Sequence, residues 1–297
     1  MIASRRSSAT EPNTALEKQP RRGRSIAQIL ADANLQPDGT LLLVGGTDLI
    51  HFRLRIAQSH LRQDLTPSSW SHVGIVREGK GGLSVSEVAL DPPTGFVDMP
   101  RSNGIQTAPL GRYDDTRRFP NVALLRFPLG DGQVGDGIDR VRDERGLLDI
   151  GSLILPWLAY VWGVGLPANP LLSSTGVPSA VFTEAVFGAL RQELTPGLAT
   201  RSSCPEAIWQ SARYWYPYYT LAAAEPESRT GTSTTRGRAP HGVFVIEQDY
   251  AAILPAEEPG STTPAAAVPP TPAPTPPRSR RTEGRMCGPM RFSEDFS

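Results

Sequence analysis

Three side chains in this 297-residue sequence have the types and settings that acyl chemistry needs: Cys204, His72 and Glu87. Cys204 lies in RSSCPEAIWQSARYW, where Pro205 suits the first turn of a helix and predicts Cys204 at its cap. A thiol there faces unpaired backbone N–H groups, which favour the thiolate and can hold an oxyanion. The competing reading is an inert buried cysteine that caps a helix. His72 opens the apolar run HVGIV, in which Gly74 permits close approach of another backbone. Its imidazole can deprotonate a nearby thiol or play a purely structural part. Glu87 lies in SVSEVA, so its carboxylate must point to water or find a partner, because an unpaired buried charge is costly. Turned toward His72, it would fix the imidazole tautomer and stabilise the imidazolium.

The elements that must position these groups can be read from hydrophobic spacing. Residues 25–34 place Ile26, Ile29 and Leu30 at helical intervals, residues 40–44 form a short apolar strand, and residues 49–60 pattern as an amphipathic helix. Two strands, 72–77 and 83–90, flank the glycine-rich connection 78–82, as in a hairpin. Residues 121–127 and 242–247 read as further strands, 205–214 as a helix opening after Cys204, and 147–194 as helices interrupted by prolines. Strands first and helices later predict an α+β fold, an antiparallel sheet packed on helices. The ordered domain is expected over 25–254, with a helical insertion at about 147–200. Residues 1–24 are expected as a flexible arm and 255–297 as a Pro-rich disordered tail. The stretch 129–145 alternates glycine with charge and reads as a loop; its Asp131, Asp136 and Asp139 lack the spacing of a calcium loop.

The order of these pieces resembles the circularly permuted branch of the papain-like thiol hydrolases. That branch includes YiiX/YaeF-type amidases within the NlpC-like superfamily and, more distantly, lecithin retinol acyltransferase. The matching pieces are Gly39–Val44, Ser71–Val76 with its histidine, Glu87, Gly104-Ile105, Pro109-Leu110 with Tyr113, Val122–Phe127, and Ser203-Cys204. In ordinary papain-like enzymes the cysteine precedes the histidine; the permuted branch reverses them, as His72 and Cys204 are ordered here. The chain departs from the family at Thr40, where an acidic residue is common, at Pro205-Glu206, where Ser-Glu-Leu is usual, and in a long helical insertion before Cys204. The resemblance implies a cysteine-dependent amidase, peptidase or acyl-ester hydrolase working through a thioacyl-enzyme. Cys204 is then the nucleophile, His72 the general base and Glu87 its orienting partner. A non-catalytic scaffold that keeps the fold, and a lipid acyltransferase, are the alternatives.

Composition bounds the partners. Thirty basic and thirty acidic residues give a net charge of zero, which argues against nucleic acid. Two cysteines make no disulfide framework, and no apolar run near residue 1 serves as a secretory signal, so the expected compartment is cytoplasmic. Residues 150–172 carry no charge, but prolines at 156, 167 and 170 interrupt them. A buried or groove-lining helix is expected there, with a peripheral lipid contact as the alternative; a true span would put His72 and Cys204 on opposite sides of a bilayer. The expected substrate is a peptide, amide or acyl lipid, and the Pro-rich tail can recruit a protein partner. His51, His60 and His241 lack metal-ligand spacing and are expected at the surface or sheet edges; no metal or cofactor is expected.

Overall fold

Runs of β-branched and leucine residues at 41–45, 72–79 and 121–126 bury every second side chain on each side of a sheet, and that sheet organises the chain. A computed structural model describes residues 16–248 except 80, 92–101, 130–133, 146–147, 164, 166, 217 and 219–239. Seven strands are present among them: β1 (Leu16–Lys18), β2 (Leu41–Gly45), β3 (His72–Gly79), β4 (Gly82–Glu87), β5 (Gln106–Pro109), β6 (Asn121–Arg126) and β7 (His241–Val245). They pair in the order β1-β7-β6-β2-β3-β4-β5. Every pair is antiparallel except β1 with β7, so the sheet is mixed rather than the purely antiparallel one expected from sequence.

Six α-helices are described: α1 (Ile26–Asp32), α2 (Leu49–Ala57), α3 (Val134–Asp143), α4 (Ile150–Trp162), α5 (Pro178–Ala189) and α6 (Pro205–Gln210). The fold is α+β. Strand periodicity sorts the core into two clusters. Leu41, Leu43, Val73, Ile75, Ala123 and Leu125 point to the side covered by α2 to α6. Leu42, Val44, Val76, Val85, Val122 and Leu124 point to the side closed by α1 and by Leu110, Tyr113 and Phe119. Each fully buried aliphatic side chain here contributes about 1.5–3 kcal/mol of transfer free energy.

Local signals agree with this layout. Ser25 and Gln28 form a reciprocal capping box that starts α1, and Asp48 caps α2 by accepting the His51 N–H. Two regions expected to be loose are structured. Residues 16–24, assigned by composition to the arm, supply β1 and the fully buried Arg21, whose guanidinium donates to the carbonyls of Phe119 (2.6 Å) and Tyr113 (2.9 Å). Residues 134–143, read as loop, form α3 because Val134, Ile138 and Val141 recur at helical spacing and are buried; Asp136 and Asp139 therefore lie on a helix. Within 150–172, α4 buries Ile150, Leu153, Trp157 and Val161 on one face. Among the described residues no helix is long and apolar enough to cross a membrane. Residues 1–15, most of 225–240, and the tail with Cys287 lie outside the described residues.

Candidate active site

Glu87 ends β4 and is wholly buried, yet it does not lack partners. Its Oε2 accepts from His72 Nε2 at 2.9 Å and from the Tyr113 hydroxyl at 2.5 Å. Its Oε1 accepts from Gln106 Nε2 and Arg112 Nη1, each at 3.2 Å. The sequence left open whether this carboxylate was solvated; it is the centre of a buried network. Burial pushes the Glu87 carboxyl up, but the adjacent His72 ring, the hydrogen bonds from His72 and Tyr113 and the Arg112 charge outweigh it, and the group sits below its ordinary value. Burial of Tyr113, with the neighbouring Glu87 carboxylate, raises its hydroxyl well above the ordinary tyrosine value.

An ionised carboxylate can only accept, so the His72 Nε2 must carry the hydrogen. The neutral imidazole then has its lone pair on Nδ1, the nitrogen a general base uses. Tyr113 stacks beside the ring with centroids 6.0 Å apart and holds its plane. Gly74 makes the arrangement possible. A Cβ at this position would lie 2.4 Å from Val85 Cγ1 and 3.4 Å from Glu87 Cβ, so only glycine lets β4 cross closely enough for Glu87 to reach His72.

His72 lines a narrow crevice with His51, Ser71, Asp91, Val177, Pro178 and Ser179 among its walls. Its free volume is about 10 Å³, room for one water. Ser179 stands in the first turn of α5, directly after Pro178. It is 1 % exposed, and its Oγ has no hydrogen-bond partner among the described residues. The crevice that it lines with His72 has room for a water to meet this hydroxyl. The local sequence signal of Ser179 is Val-Pro-Ser opening an apolar helix, a proline-led start like that after Cys204.

Cys204 is where sequence predicted in one respect: it is the N-cap of α6. In other respects its setting is less reactive. Among the described residues it has no hydrogen bond to His72 or Glu87, and it does not line the crevice. It is fully buried among the apolar residues on the helical side of the sheet. The Cys204 side chain makes no cap hydrogen bond, and α6 passes after six residues into a π-helical turn at Ser211–Trp215. Burial pushes the thiol up to about 12; Glu206 and Glu184 push the same way, and the neighbouring N–H groups of Ala207 and Glu206 only partly offset this. The two helix starts are nevertheless stitched together, since Gly176 N donates to Arg201 O at 2.6 Å and Val177 N to Ser203 O at 2.9 Å.

His51 corrects an expectation. It is 3 % exposed rather than superficial, because Gly46 has no side chain: a Cβ there would come within 2.4 Å of His51 Cγ. The ring packs edge-on against Phe119 with centroids 5.2 Å apart, and its Nδ1 meets Ser71 Oγ at 2.8 Å. Beyond it, Arg118 bridges Asp48 (3.0 Å) and Asp91 (2.7 Å), and Arg112 joins Asp91 (3.1 Å) to Glu87. Asp91 lies well below the ordinary carboxylate range: burial raises it, but His51, Arg112 and His72 more than compensate. Of the other histidines, His60 falls in a 3₁₀ turn and His241 opens β7.

No protein-family model and no curated protein matches the chain.

Proposed function

We propose that the protein is a hydrolase of acyl bonds, esters or amides, that works through an acyl-enzyme on a permuted papain-like scaffold. His72 is the general base, Glu87 orients it, and the Ser179 hydroxyl is the nucleophile. The observation that carries this reading is the 2.9 Å bond from His72 Nε2 to Glu87, inside a crevice that also holds a buried, unpartnered serine hydroxyl. His72 Nδ1 takes the Ser179 proton as Oγ attacks the carbonyl carbon; the leaving group receives that proton, and water then releases the acyl group by the reverse sequence. The positive end of α5, a twelve-residue helix, favours the oxyanion.

A second reading keeps the thiol expected from sequence, with Cys204 as nucleophile and a thioacyl-enzyme. It is favoured by the position of Cys204 at the cap of α6, next to the start of α5. Both readings require the crevice to open to substrate, since Ser179 and Cys204 are equally enclosed, and the second also requires a buried, protonated thiol to lose its proton.

The test is hydrolysis of a panel of p-nitrophenyl esters and acyl amides of graded chain length by wild type, Ser179→Ala, Cys204→Ala and His72→Gln. Loss of general-base assistance should lower kcat/KM in His72→Gln by about 10²–10⁴-fold, with Ser179→Ala falling at least as far. Loss in Cys204→Ala alone selects the second reading. A panel left unhydrolysed by well-folded wild type favours the scaffold alternative.

A further inference from the structure

Asp48, His51 and Asp91 converge beside the crevice, which His51 and Asp91 line, each offering one ligand atom within 4.8 Å of the others. Asp48 caps α2 and holds the His51 backbone N–H through Oδ1 at 3.0 Å, which leaves its Oδ2 turned toward the ring. His51 Nε2 is buried and has no hydrogen-bond partner among the described residues. It lies 3.7 Å from Asp91 Oδ2 and 3.9 Å from Asp48 Oδ2. Those separations are too long for hydrogen bonds. They are a few tenths of an ångström wider than the roughly 3.3–3.6 Å between two ligands of a tetrahedral ion that each stand about 2.0–2.2 Å from it, a gap that small side-chain rotations close.

From this geometry we propose that His51 Nε2, with one oxygen each of Asp48 and Asp91, binds a divalent transition cation of the zinc type. The hydrogen bonds behind the ring agree. Ser71 Oγ accepts from Gly46 N at 3.0 Å and can donate to Val44 O at 3.1 Å, so it can take the Nδ1–H of His51 at 2.8 Å. A cation on Nε2 fixes that tautomer and leaves every polar atom of the chain from Asp48 to Val44 satisfied. Metal-bound histidines characteristically donate their other ring N–H in this way. One imidazole with two carboxylates suits zinc or manganese and disfavours magnesium, which prefers oxygen donors alone.

The Arg118 guanidinium now occupies the space between the two carboxylates, bonding Asp48 Oδ2 at 3.0 Å and Asp91 Oδ2 at 2.7 Å. Its side chain is 41 % exposed, so it can swing into solvent when a cation takes over its charge. Arg112, bonded to Asp91 Oδ2 at 3.1 Å and to Glu87, is the more enclosed of the two and stays. The site and the hydrolase reading are independent, since neither Ser179 nor His72 is a ligand.

The test is zinc titration of the chelator-treated full chain by calorimetry in excess magnesium, for wild type, His51→Gln, Asp91→Asn and Arg118→Ala. One zinc ion should bind per chain, about tenfold or more weaker in His51→Gln and Asp91→Asn, and tighter in Arg118→Ala, which removes the competitor. A control carrying His60→Ala, His241→Ala and Cys287→Ser should bind as wild type does. Circular dichroism confirms the fold of each variant, and Arg118→Ala keeps the test decisive if His51→Gln fails to fold. Zinc binding undiminished in both His51→Gln and Asp91→Asn overturns the proposal, as does the absence of binding in both wild type and Arg118→Ala.

Discussion

Glu87 accepts the Nε2–H of His72 at 2.9 Å from a position with no solvent exposure, while Tyr113, Arg112 and Gln106 fill its remaining acceptor sites. A carboxylate so enclosed is tolerable only because four donors surround it. Removing it leaves the His72 Nε2–H and the Tyr113 hydroxyl without their acceptor, while Arg112 keeps only Asp91, so Glu87→Ala should cost about 3–5 kcal/mol in urea unfolding at pH 7. Glu87→Gln should cost less but reverse the Tyr113 and His72 contacts. Loss below about 1 kcal/mol in Glu87→Ala would mean that the pair is not formed in solution.

Glu87 and Asp91 both have carboxyl groups held below their ordinary values, which sets the sign of an acid effect. Their stabilisation is fully present above the unfolded carboxylate value, about pH 4, and is lost as pH falls through the depressed folded values. Wild-type stability should therefore fall steeply between about pH 4 and 2, and Glu87→Gln should flatten that slope. Parallel slopes for the two proteins in acid denaturation would contradict the assignment.

At the alkaline end Cys204 dominates the contrast. Its thiol is raised from 9.0 to about 12, so the folded state keeps the proton longer than the unfolded one. That contribution is complete below pH 9 and is lost as pH rises toward 12. Cys204→Ala should lose less stability than wild type between pH 8 and 10.5, measured as the shift in urea midpoint. Native protein should also react with iodoacetamide at Cys204 far more slowly than denatured protein at pH 8. Equal rates would show a thiol that is neither buried nor protonated.

Gly74 and Gly46 make the two histidine settings possible, and both should resist substitution. Gly74→Ala places a methyl 2.4 Å from Val85 Cγ1, and Gly46→Ala places one 2.4 Å from the His51 ring. Each should cost about 1–3 kcal/mol by overpacking, read as a lower thermal midpoint. A neutral Gly74→Ala would mean that β3 and β4 lie farther apart than the Glu87 bond requires.

Much of the scaffold was legible because its periodicity is strong. The strands at 41–45, 72–79, 82–87 and 121–126 and the helix after Cys204 are apolar runs bounded by glycine or proline, and local pattern is enough to find them. The parts that were missed depend on distant partners. β1 is three residues long and exists because β7 pairs with it, and Arg21 is buried because two carbonyls more than ninety residues away receive it. His72 and Glu87 each stood out because they interrupt apolar strands, but the strand pattern left their pairing open and only the family resemblance implied it. Ser179 and His51 did not stand out, since their significance lies in an unpaired atom facing a crevice, and no linear pattern records what an atom fails to meet. The reverse holds for Cys204, whose proline-led helix start says nothing of the burial that protonates its thiol.

The most direct test of the proposed chemistry is covalent capture of the nucleophile. Wild type, Ser179→Ala, Cys204→Ala and His72→Gln would each be treated with a fluorophosphonate at pH 8, and the adduct located by peptide mass spectrometry. A single adduct on Ser179, formed in Cys204→Ala and abolished in His72→Gln, is the predicted result. A wild type that remains unlabelled, or labelling of Ser179 that proceeds equally well without His72, would contradict it.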